Sequence, residues 1–285
     1  MPVLDQFVRL WRRHAEWRIG AVIAIGGVLL ALLAPVIAPS DPAALGGIGE
    51  RLLPPSGNHW LGTDLLGRDV LSRLIHGARV SLIVGWTSVL AAMLCGTFVG
   101  MVAGLGPRWL DRFLMWVTDL FMAFPRIFLV LLLVSLSSPS LILIMLVLGL
   151  TGWMSIARLV RAETLSIRER DFVAAAKGLG FSPWRVAIKH ILPSLWPTII
   201  VAATLRVGGA ILTESFLSYL GLGVQEPTVS WGSMIQMGRA NLVDGWWLAT
   251  FPGLALALTV VGYNLIGDGL RRWLDPRDSF GGSHE

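Results

Sequence analysis

Residues 80–104 read VSLIVGWTSVLAAMLCGTFVGMVAG, a run of 25 residues without a charged side chain. About 20 mostly apolar residues are enough for a helix to cross the hydrocarbon core of a bilayer. The whole 285-residue chain has the same character, since 54% of its residues are apolar and only 14% are charged. Soluble domains carry about 25% charged residues. The sequence therefore predicts an integral membrane protein built from helices.

Five further stretches are long and apolar enough to cross a bilayer. The six predicted spans cover residues 19–38, 80–104, 111–136, 140–160, 197–221 and 246–267. The third span contains Pro125, which is expected to kink its helix, followed by Arg126.

The basic residues predict the direction of the spans. With the N-terminus inside, sixteen of the 23 Lys and Arg residues fall in cytoplasmic segments and five in outer ones. Cytoplasmic segments of membrane proteins carry such an excess. Because the basic residues flank apolar runs, we expect no nucleic-acid binding. The predicted organisation is a cytoplasmic N-terminal segment 1–18, a spanning domain 19–277 with an outer loop 39–79 and a cytoplasmic region 161–193, and a cytoplasmic tail 278–285.

Residues 171–193, DFVAAAKGLGFSPWRVAIKHILP, interrupt the apolar chain with a basic and glycine-containing segment. The pattern predicts one helix that ends at Gly178 and Gly180, because glycine suits a left-handed C-terminal cap. Ser182 and Pro183 predict the start of a second helix, as N-cap and first residue. That helix is expected to end near Leu192, because a proline follows.

The side chains of this segment allow two interpretations. Trp184, Ile188 and Ile191 follow the i, i+4, i+7 pattern and are expected to share one apolar face. Three consecutive alanines, 174–176, would let another protein approach the helix backbone closely. A short interfacial helix between two spans explains the same pattern. The residues alone leave both interpretations open.

The stretch before the second span, residues 59–82, reads HWLGTDLLGRDVLSRLIHGARVSL. Thr63 is predicted to cap an interfacial helix in which Asp64 and Arg68 pair at i, i+4. Gly77 is expected to bend the chain into the membrane.

Four ionisable residues lie within predicted spans: Asp119, Arg126, Arg206 and Glu214. Each costs about 2.5 kcal/mol or more near a helix centre unless it is paired or hydrated, so we expect these side chains to face the interior. Asp119 and Arg206 lie at a similar depth in the third and fifth spans, and we hypothesise that they pair. Together with Pro125, these residues are candidates for gating, pairing or the transport pathway, with simple packing as the competing explanation.

The 171–193 segment resembles the cytoplasmic coupling motif of ABC importer permeases. That motif is E-A-A, three residues, G, and a run ending in I-x-L-P. Here it stands as Ala174-Ala175-Ala176, Gly180 and 190–193, HILP. Ala174 replaces the glutamate and His190 replaces the first isoleucine.

Four further blocks resemble the permeases that import peptides, opines and nickel, specifically the second permease of each pair. The blocks are LGTDLLGRDVLSR at 61–73, DLFMAFPRIF at 119–128, ILTESFLSYLGLGVQEPTVSWGSMI at 211–235 and YNLIGDGLRRWLDPR at 263–277. Tyr219 and Arg272 depart from the family pattern, which has phenylalanine and aspartate there. The resemblance covers residues 19–277.

The resemblance implies an all-α integral membrane protein with six transmembrane helices, the type I ABC importer fold, and cytoplasmic coupling helices. It also implies that one segment contacts an ATPase, through Asp171, Phe172, Ala174, Ala175, Ala176, Gly178, Gly180, Ser182, Trp184 and Arg185. The implied partners are a second homologous permease, two cytoplasmic ATPase subunits expected to differ from each other, a periplasmic or lipid-anchored substrate-binding protein, and the lipid of a bacterial inner membrane.

The function that this resemblance implies is half of the pathway of an ATP-driven importer of di- or oligopeptides. Nickel or metallophore, opine and glutathione cargoes are alternatives, and a secondary transporter is a distant one. We expect the chain to be no enzyme and to hold no cofactor, because it lacks the G-x-x-x-x-G-K-[ST] phosphate loop; Mg-ATP would bind the partner ATPases. Its five histidines lack metal-ligand spacing, so no metal site is predicted.

Overall fold

The computed structural model describes residues 15–138 and 140–274, and these residues form helices and loops with no β-strand. The helices are α1 (Ala15–Ile37), α2 (Val70–Leu105), α3 (Arg108–Met122), α4 (Arg126–Ser135), α5 (Leu141–Leu150), α6 (Trp153–Arg168), α7 (Asp171–Gly178), α8 (Pro183–Val186), α9 (Leu192–Tyr219), α10 (Trp231–Gly238) and α11 (Trp247–Leu274). A π-helical segment, Ala187–Ile191, joins α8 to α9. Most of the predicted segment 1–18, residues 275–277 and the tail 278–285 lie outside the described residues.

Among the described residues, five helical segments are long and apolar enough to cross a membrane. They are Glu16–Ile37, Val70–Leu105, Leu141–Arg168, Pro183–Tyr219 and Trp247–Leu274. A sixth crossing is supplied by α3 and α4 if they are counted as one span, since the two are bent by 80° at their junction. The kink expected at Pro125, the N-cap of α4, is therefore confirmed. The all-α membrane fold predicted from the sequence is present.

Helix α2 is the centre of the bundle and packs most extensively against α6, with further contacts to α1, α5 and α9. Glycines spaced four residues apart make the α2–α6 contact possible. A Cβ added at Gly96 would lie 2.6 Å from Ile156 Cβ, and one at Gly100 would lie 2.6 Å from the Ala157 carbonyl oxygen. Small residues at this spacing let membrane helices approach to backbone contact.

Two apolar clusters connect most of the other helices. The larger connects α1, α2, α6, α9, α10 and α11. The smaller fixes the bent helix α4, because Val130 and Val134 pack with Val84 of α2, Ile144 of α5 and Leu217 of α9, all fully buried. The position of α4 therefore depends on three other helices.

Helix α2 begins later than predicted. Its N-cap is Asp69, whose carboxylate accepts a hydrogen bond from the Ser72 backbone N–H at 2.8 Å, so the prediction of Thr63 as cap is wrong. The predicted bend at Gly77 is also wrong, because that residue lies inside the unbroken helix and faces Trp231. The carboxylate of Asp69 supplies a stronger local cap than the hydroxyl further upstream.

The helix predicted to end near Leu192 continues instead to Tyr219. The π-helical segment before Pro193 widens the turn, which gives the proline ring room that a regular α-helical turn would not. The wider turn also changes which side chains share a face. Ile191 is buried, but Trp184 and Ile188 are 70% and 42% exposed, so the predicted common apolar face is wrong.

Replacing Gly100 by leucine is expected to force α2 away from α6. Overpacking a close contact costs about 1–3 kcal/mol, and we expect a loss of about 2 kcal/mol or more here because backbone blocks the new side chain. Size-exclusion chromatography of the detergent-solubilised protein after stepwise heating measures the change. Gly26→Leu is the matched control, since a Cβ there meets nothing within 4 Å. Equal midpoints for the two variants would contradict the role given to this contact.

Candidate functional site

The first candidate site is an exposed surface on α7, α8 and the loop between them, which we call the coupling surface. Nine of the ten residues that the family motif implies are exposed there, and the exception is Ala176, which is buried with Val173 beneath α7. Ala174 and Ala175 are exposed, so the helix offers a surface with short side chains. Large apolar side chains surround them, with Leu179 76% and Trp184 70% exposed.

The loop within the coupling surface is held in a defined shape. Gly180 has a φ of +79°, which confirms the left-handed conformation predicted there, whereas Gly178 is helical. The hydroxyl of Ser182 accepts a hydrogen bond from the Arg185 backbone N–H at 3.3 Å, which confirms the predicted N-cap. Sequence reasoning missed the exposed Leu179, because its place in the loop follows from the glycine turn.

Aromatic contacts connect the two sides of the loop. The Arg185 guanidinium lies 4.5 Å from the centroid of the Phe181 ring, and that ring stacks on His190 with centroids 5.9 Å apart. His190 is one of the two departures from the family motif, and here its ring makes this stacked contact. The coupling surface is therefore attached to the π-helical segment and to α9.

Two ion pairs connect α3 to α6. Asp119 pairs with Arg158, and Asp111 accepts from Arg161, with Nη2 and Oδ2 2.6 Å apart. The hypothesised Asp119–Arg206 pair is wrong. The packing of the helices explains why the pair does not form, since α3 lies against α2 and α6 and not beside the middle of α9. The sequence signal that was missed is the pair of arginines three residues apart on α6.

Arg126 and Arg206 line one cavity of about 140 Å³ between α2, α4, α9 and the α5–α6 junction. Arg126 Nη2 donates to the Leu148 carbonyl oxygen at 3.3 Å. Arg206 donates to the Ser155 hydroxyl and, at 3.4 Å, to the Gly152 carbonyl oxygen. Neither guanidinium forms an ion pair within residues 15–138 and 140–274.

Glu214 has a different environment, because it is fully buried and surrounded by hydroxyl groups. Its carboxylate accepts hydrogen bonds from Ser218 at 2.7 Å and from Ser215 at 3.4 Å. The hydroxyl of Ser218 in turn accepts from the Val224 backbone N–H at 3.2 Å. Glu214 therefore stabilises the turn that follows α9, which is a packing role.

A cluster of four charged side chains, which we call the loop clamp, lies at the N-terminal end of α2. It consists of Asp64, Arg68, Arg73 and Glu226. Arg68 Nε lies 2.7 Å from Asp64 Oδ2, which confirms the predicted pair, although the pair is in a turn and not in a helix. Glu226 bridges both arginines, at 3.0 Å from Arg68 Nη1 and 2.7 Å from Arg73 Nη2. Sequence reasoning missed Glu226, which is 153 residues from Arg73 along the chain.

The charges of the loop clamp act on the carboxylate of Glu226. Burial raises the pKa of Glu226. Hydrogen bonds from Arg73 and Arg68, together with the attraction of their positive charges, outweigh that effect and bring the pKa below the ordinary value of 4.5. The Glu226 carboxylate therefore binds a proton more readily in the unfolded chain than in the folded one. This carboxylate therefore stabilises the fold above pH 4.5, and its contribution is lost as the pH falls through the folded-state pKa.

Metal ligation has no candidate in the described part of the chain. Residues 15–138 and 140–274 contain no group of three or more His, Cys, Asp or Glu side chains placed to hold an ion.

Glu226→Gln is expected to lower the free energy of unfolding at neutral pH by about 1–2 kcal/mol, because charged hydrogen bonds are lost at a half-exposed site. The difference from the wild type should shrink as the pH falls below 4.5. Thermal unfolding of the solubilised variant and wild type, from neutral pH to below pH 4.5, measures this difference in stability. Asp244→Asn, at an exposed carboxylate outside the clamp, is the control. A difference that does not change with pH would contradict the charge-based account.

Comparison with known proteins assigns this architecture to a family. Residues 96–279 match the family model described as "Binding-protein-dependent transport system inner membrane component". The dipeptide transport system permease protein DppC of Alkalihalophilus pseudofirmus is 40% identical, over 91% of this chain and 85% of that protein. The glutathione transport system permease protein GsiD of Pectobacterium atrosepticum is 36% identical, over 97% and 95% of the two chains.

The fold also matches a solved structure, that of the MetNI methionine ABC transporter in inward-facing conformations. The TM-score is 0.57 at 20% sequence identity, over 71% of this chain and 96% of that chain. This likeness supports the type I importer fold predicted from the sequence. The family match extends over more than half of the chain, and the two relatives cover nearly all of it. The chain therefore belongs to the family of binding-protein-dependent transport system inner membrane components and is a multi-pass membrane permease.

Proposed function

We propose that this permease forms half of the pathway of an ATP-driven importer that takes up di- or oligopeptides from a substrate-binding protein. The observation that carries the proposal is the coupling surface, where short and large apolar side chains are exposed at one end of the bundle. Dipeptide permeases among the relatives support the class of cargo. ATP hydrolysis is assigned to separate subunits, so the chain itself is not an enzyme.

The helices support a mechanism in which the coupling surface moves with the spans. Pro183–Tyr219 is one helical segment of 37 residues, and it begins in the coupling surface and ends beyond the buried Glu214. α7 follows α6 after two residues, and α6 packs along α2. Closure of an ATPase dimer around the coupling surface would therefore displace the inner ends of α6 and α9 together. ATP binding would open the pathway outward, and hydrolysis would reset it.

The proposed assembly contains a second homologous permease, two ATPase subunits that differ from each other and a periplasmic or lipid-anchored binding protein. Sixteen basic residues in the segments assigned inside support cytoplasmic termini and a cytoplasmic coupling surface. The loop clamp then lies on the outer face, where the binding protein would dock.

Glutathione is the second candidate cargo. The glutathione permease among the relatives matches this chain over almost the full length of both. Glutathione is itself a peptide-like molecule, so the two candidates need the same kind of pathway. Uptake assays with each cargo separate them.

Ala175→Arg is expected to uncouple ATP hydrolysis from transport, because a long charged side chain would hold the ATPase away from a surface built of short ones. Peptide uptake should fall about tenfold or more, as expected when an interface residue central to a contact is lost. Stimulation of the ATPase by the loaded binding protein should fall with it, while membrane insertion stays unchanged. Ala175→Ser, which keeps the side chain short, is the control. Gly180→Trp should act in the same way, because a residue other than glycine is strained at a φ of +79°.

Affinity purification of the gently solubilised chain, followed by reconstitution into liposomes, tests the proposed function. We expect two ATPases and a second six-span permease to co-purify, and trialanine uptake to require both ATP and the binding protein. A chain that purifies alone and still transports peptide would overturn the proposal in favour of a secondary transporter. An intact complex that carries glutathione but not trialanine would select the second cargo.

A further inference from the structure

We propose that Arg126 and Arg206 together form a receptor for a carboxylate group, and that during transport this group is the C-terminal carboxylate of the peptide. The inference rests on the proposed function and assigns a role to a site within the spans. It follows from the position of the two arginines, from their unused hydrogen-bond donors and from the shape of the cavity that they line.

Arg126 lies where a span is interrupted, and Arg206 lines the same cavity from the unbroken helix α9. Arg206 is near the middle of α9, and Arg126 is the first residue of α4, immediately after the 80° bend. The α5–α6 junction around Gly152 supplies backbone carbonyls to the same place. Interrupted helices are tolerated at membrane depth only where they are buried in protein or line a water-filled cavity. Charged side chains at that depth mark substrate or ion pathways for the same reason.

Most of the donors on these arginines have no partner in the described residues. A guanidinium carries five N–H donors and no acceptor. Arg126 uses one of them, on Leu148, and Arg206 uses two, on Gly152 and Ser155. The bonds to the two carbonyl oxygens are long, at 3.3 and 3.4 Å. Acidic groups are not available nearby, because Asp119 pairs with Arg158 and Glu214 is enclosed by serines. Within residues 15–138 and 140–274 the pair therefore has no anionic partner, with Arg126 exposed and Arg206 half-buried.

The cavity has room for a functional group and not for a whole peptide. Its volume of about 140 Å³ is below the roughly 300–1,000 Å³ of sites that enclose small molecules. Apart from the arginines, the residues that line it are small or apolar: Ser88, Val89, Ala92, Leu148, Gly152, Leu205, Gly209 and Ala210. A Cβ added at Gly209 would meet nothing within 4 Å, so the cavity opens on that side. The end of a chain can enter there while the rest stays outside.

A carboxylate is the group that fits this chemistry. Its planar shape matches a guanidinium in paired hydrogen bonds, and two guanidiniums can hold both oxygens. Every peptide carries one at its C-terminus whatever its side chains, so a site of this kind can serve cargo of varied sequence. Because the existing bonds are few and the two to carbonyl oxygens are long, the carboxylate can arrive and leave without disrupting an ion pair. A site on a pathway must bind its cargo weakly enough to release it.

Uptake of trialanine and of its C-terminal amide by the reconstituted complex tests the inference. Both peptides are first shown to load the binding protein. We expect Arg126→Gln and Arg206→Gln to lower trialanine uptake about tenfold or more, since hydrogen bonds to a charged group are lost. Uptake of the amide should be the same in the variants and the wild type. Arg206→Lys should retain part of the uptake of the free acid, and Arg79→Gln, at an exposed position outside the cavity, should retain all of it.

Three other outcomes would overturn the inference, each in a recognisable way. Equal losses for the free acid and the amide would show that the arginines do not bind the carboxylate. Loss of the second permease from complexes of the Gln variants would show that the arginines pair with a carboxylate of that subunit. A wild-type complex that assembles but carries neither peptide would refute the proposed function, and with it this inference. Binding-protein-stimulated ATPase activity, expected to stay within about twofold of the wild type, separates a pathway defect from a coupling defect.

Discussion

The close approach of α2 and α6 is the contact on which the rest of the structure depends. Gly96 and Gly100 remove the side chains that would keep the two backbones apart, and without hydrophobic driving force in lipid this close packing supplies much of the association energy. With α6 held there, its arginines reach the acidic residues of α3. The α5–α6 junction then lies beside α2 and α9, where it forms one wall of the arginine cavity.

The charged side chains form three groups along the bundle, and the groups differ in the partners that they contact. At the N-terminal end of α2 they form the loop clamp, in which two carboxylates satisfy two nearly buried arginines. On α3 and α6 they form ion pairs with substantial exposure. Between these two groups, Arg126 and Arg206 have only carbonyl and hydroxyl partners in the described chain. A bilayer tolerates unpaired charge only where water or a ligand reaches it. The contrast among the three groups supports the role that we propose for the middle one.

The long helical segment Pro183–Tyr219 connects the coupling surface with the arginine cavity. Its π-helical part lets the chain pass Pro193 without a break, and the stacked rings of Phe181 and His190 attach the loop to it. A displacement of the coupling surface would therefore be transmitted along a continuous helix to Arg206. Arg126 belongs to α4, which a separate apolar cluster holds in place. Relative movement of the two arginines would change how well they can hold one carboxylate between them.

Features that depend on neighbours along the chain could be determined from the sequence alone. The apolar runs indicate the spans, Gly180 requires a left-handed turn, Ser182 caps its helix, and Asp64 pairs with Arg68 four residues later. The motif blocks identified the family, because they are specific local patterns. Even local reasoning failed where two signals competed. Asp69 was a better cap than Thr63, and a π-helical turn accommodated the proline that was expected to end a helix.

Only the tertiary structure decided which charges meet when they lie far apart along the chain. Asp119 pairs with Arg158 and not with Arg206, and Glu226 bridges Arg68 and Arg73 from the far side of the molecule. Depth along a span can be counted from the sequence, but a charge pair also requires that its two helices be neighbours. That adjacency is set by the glycine contacts of α2 and by the bend between α3 and α4. The cavity between Arg126 and Arg206 exists for the same reason, since four separate parts of the chain must pack before it has walls.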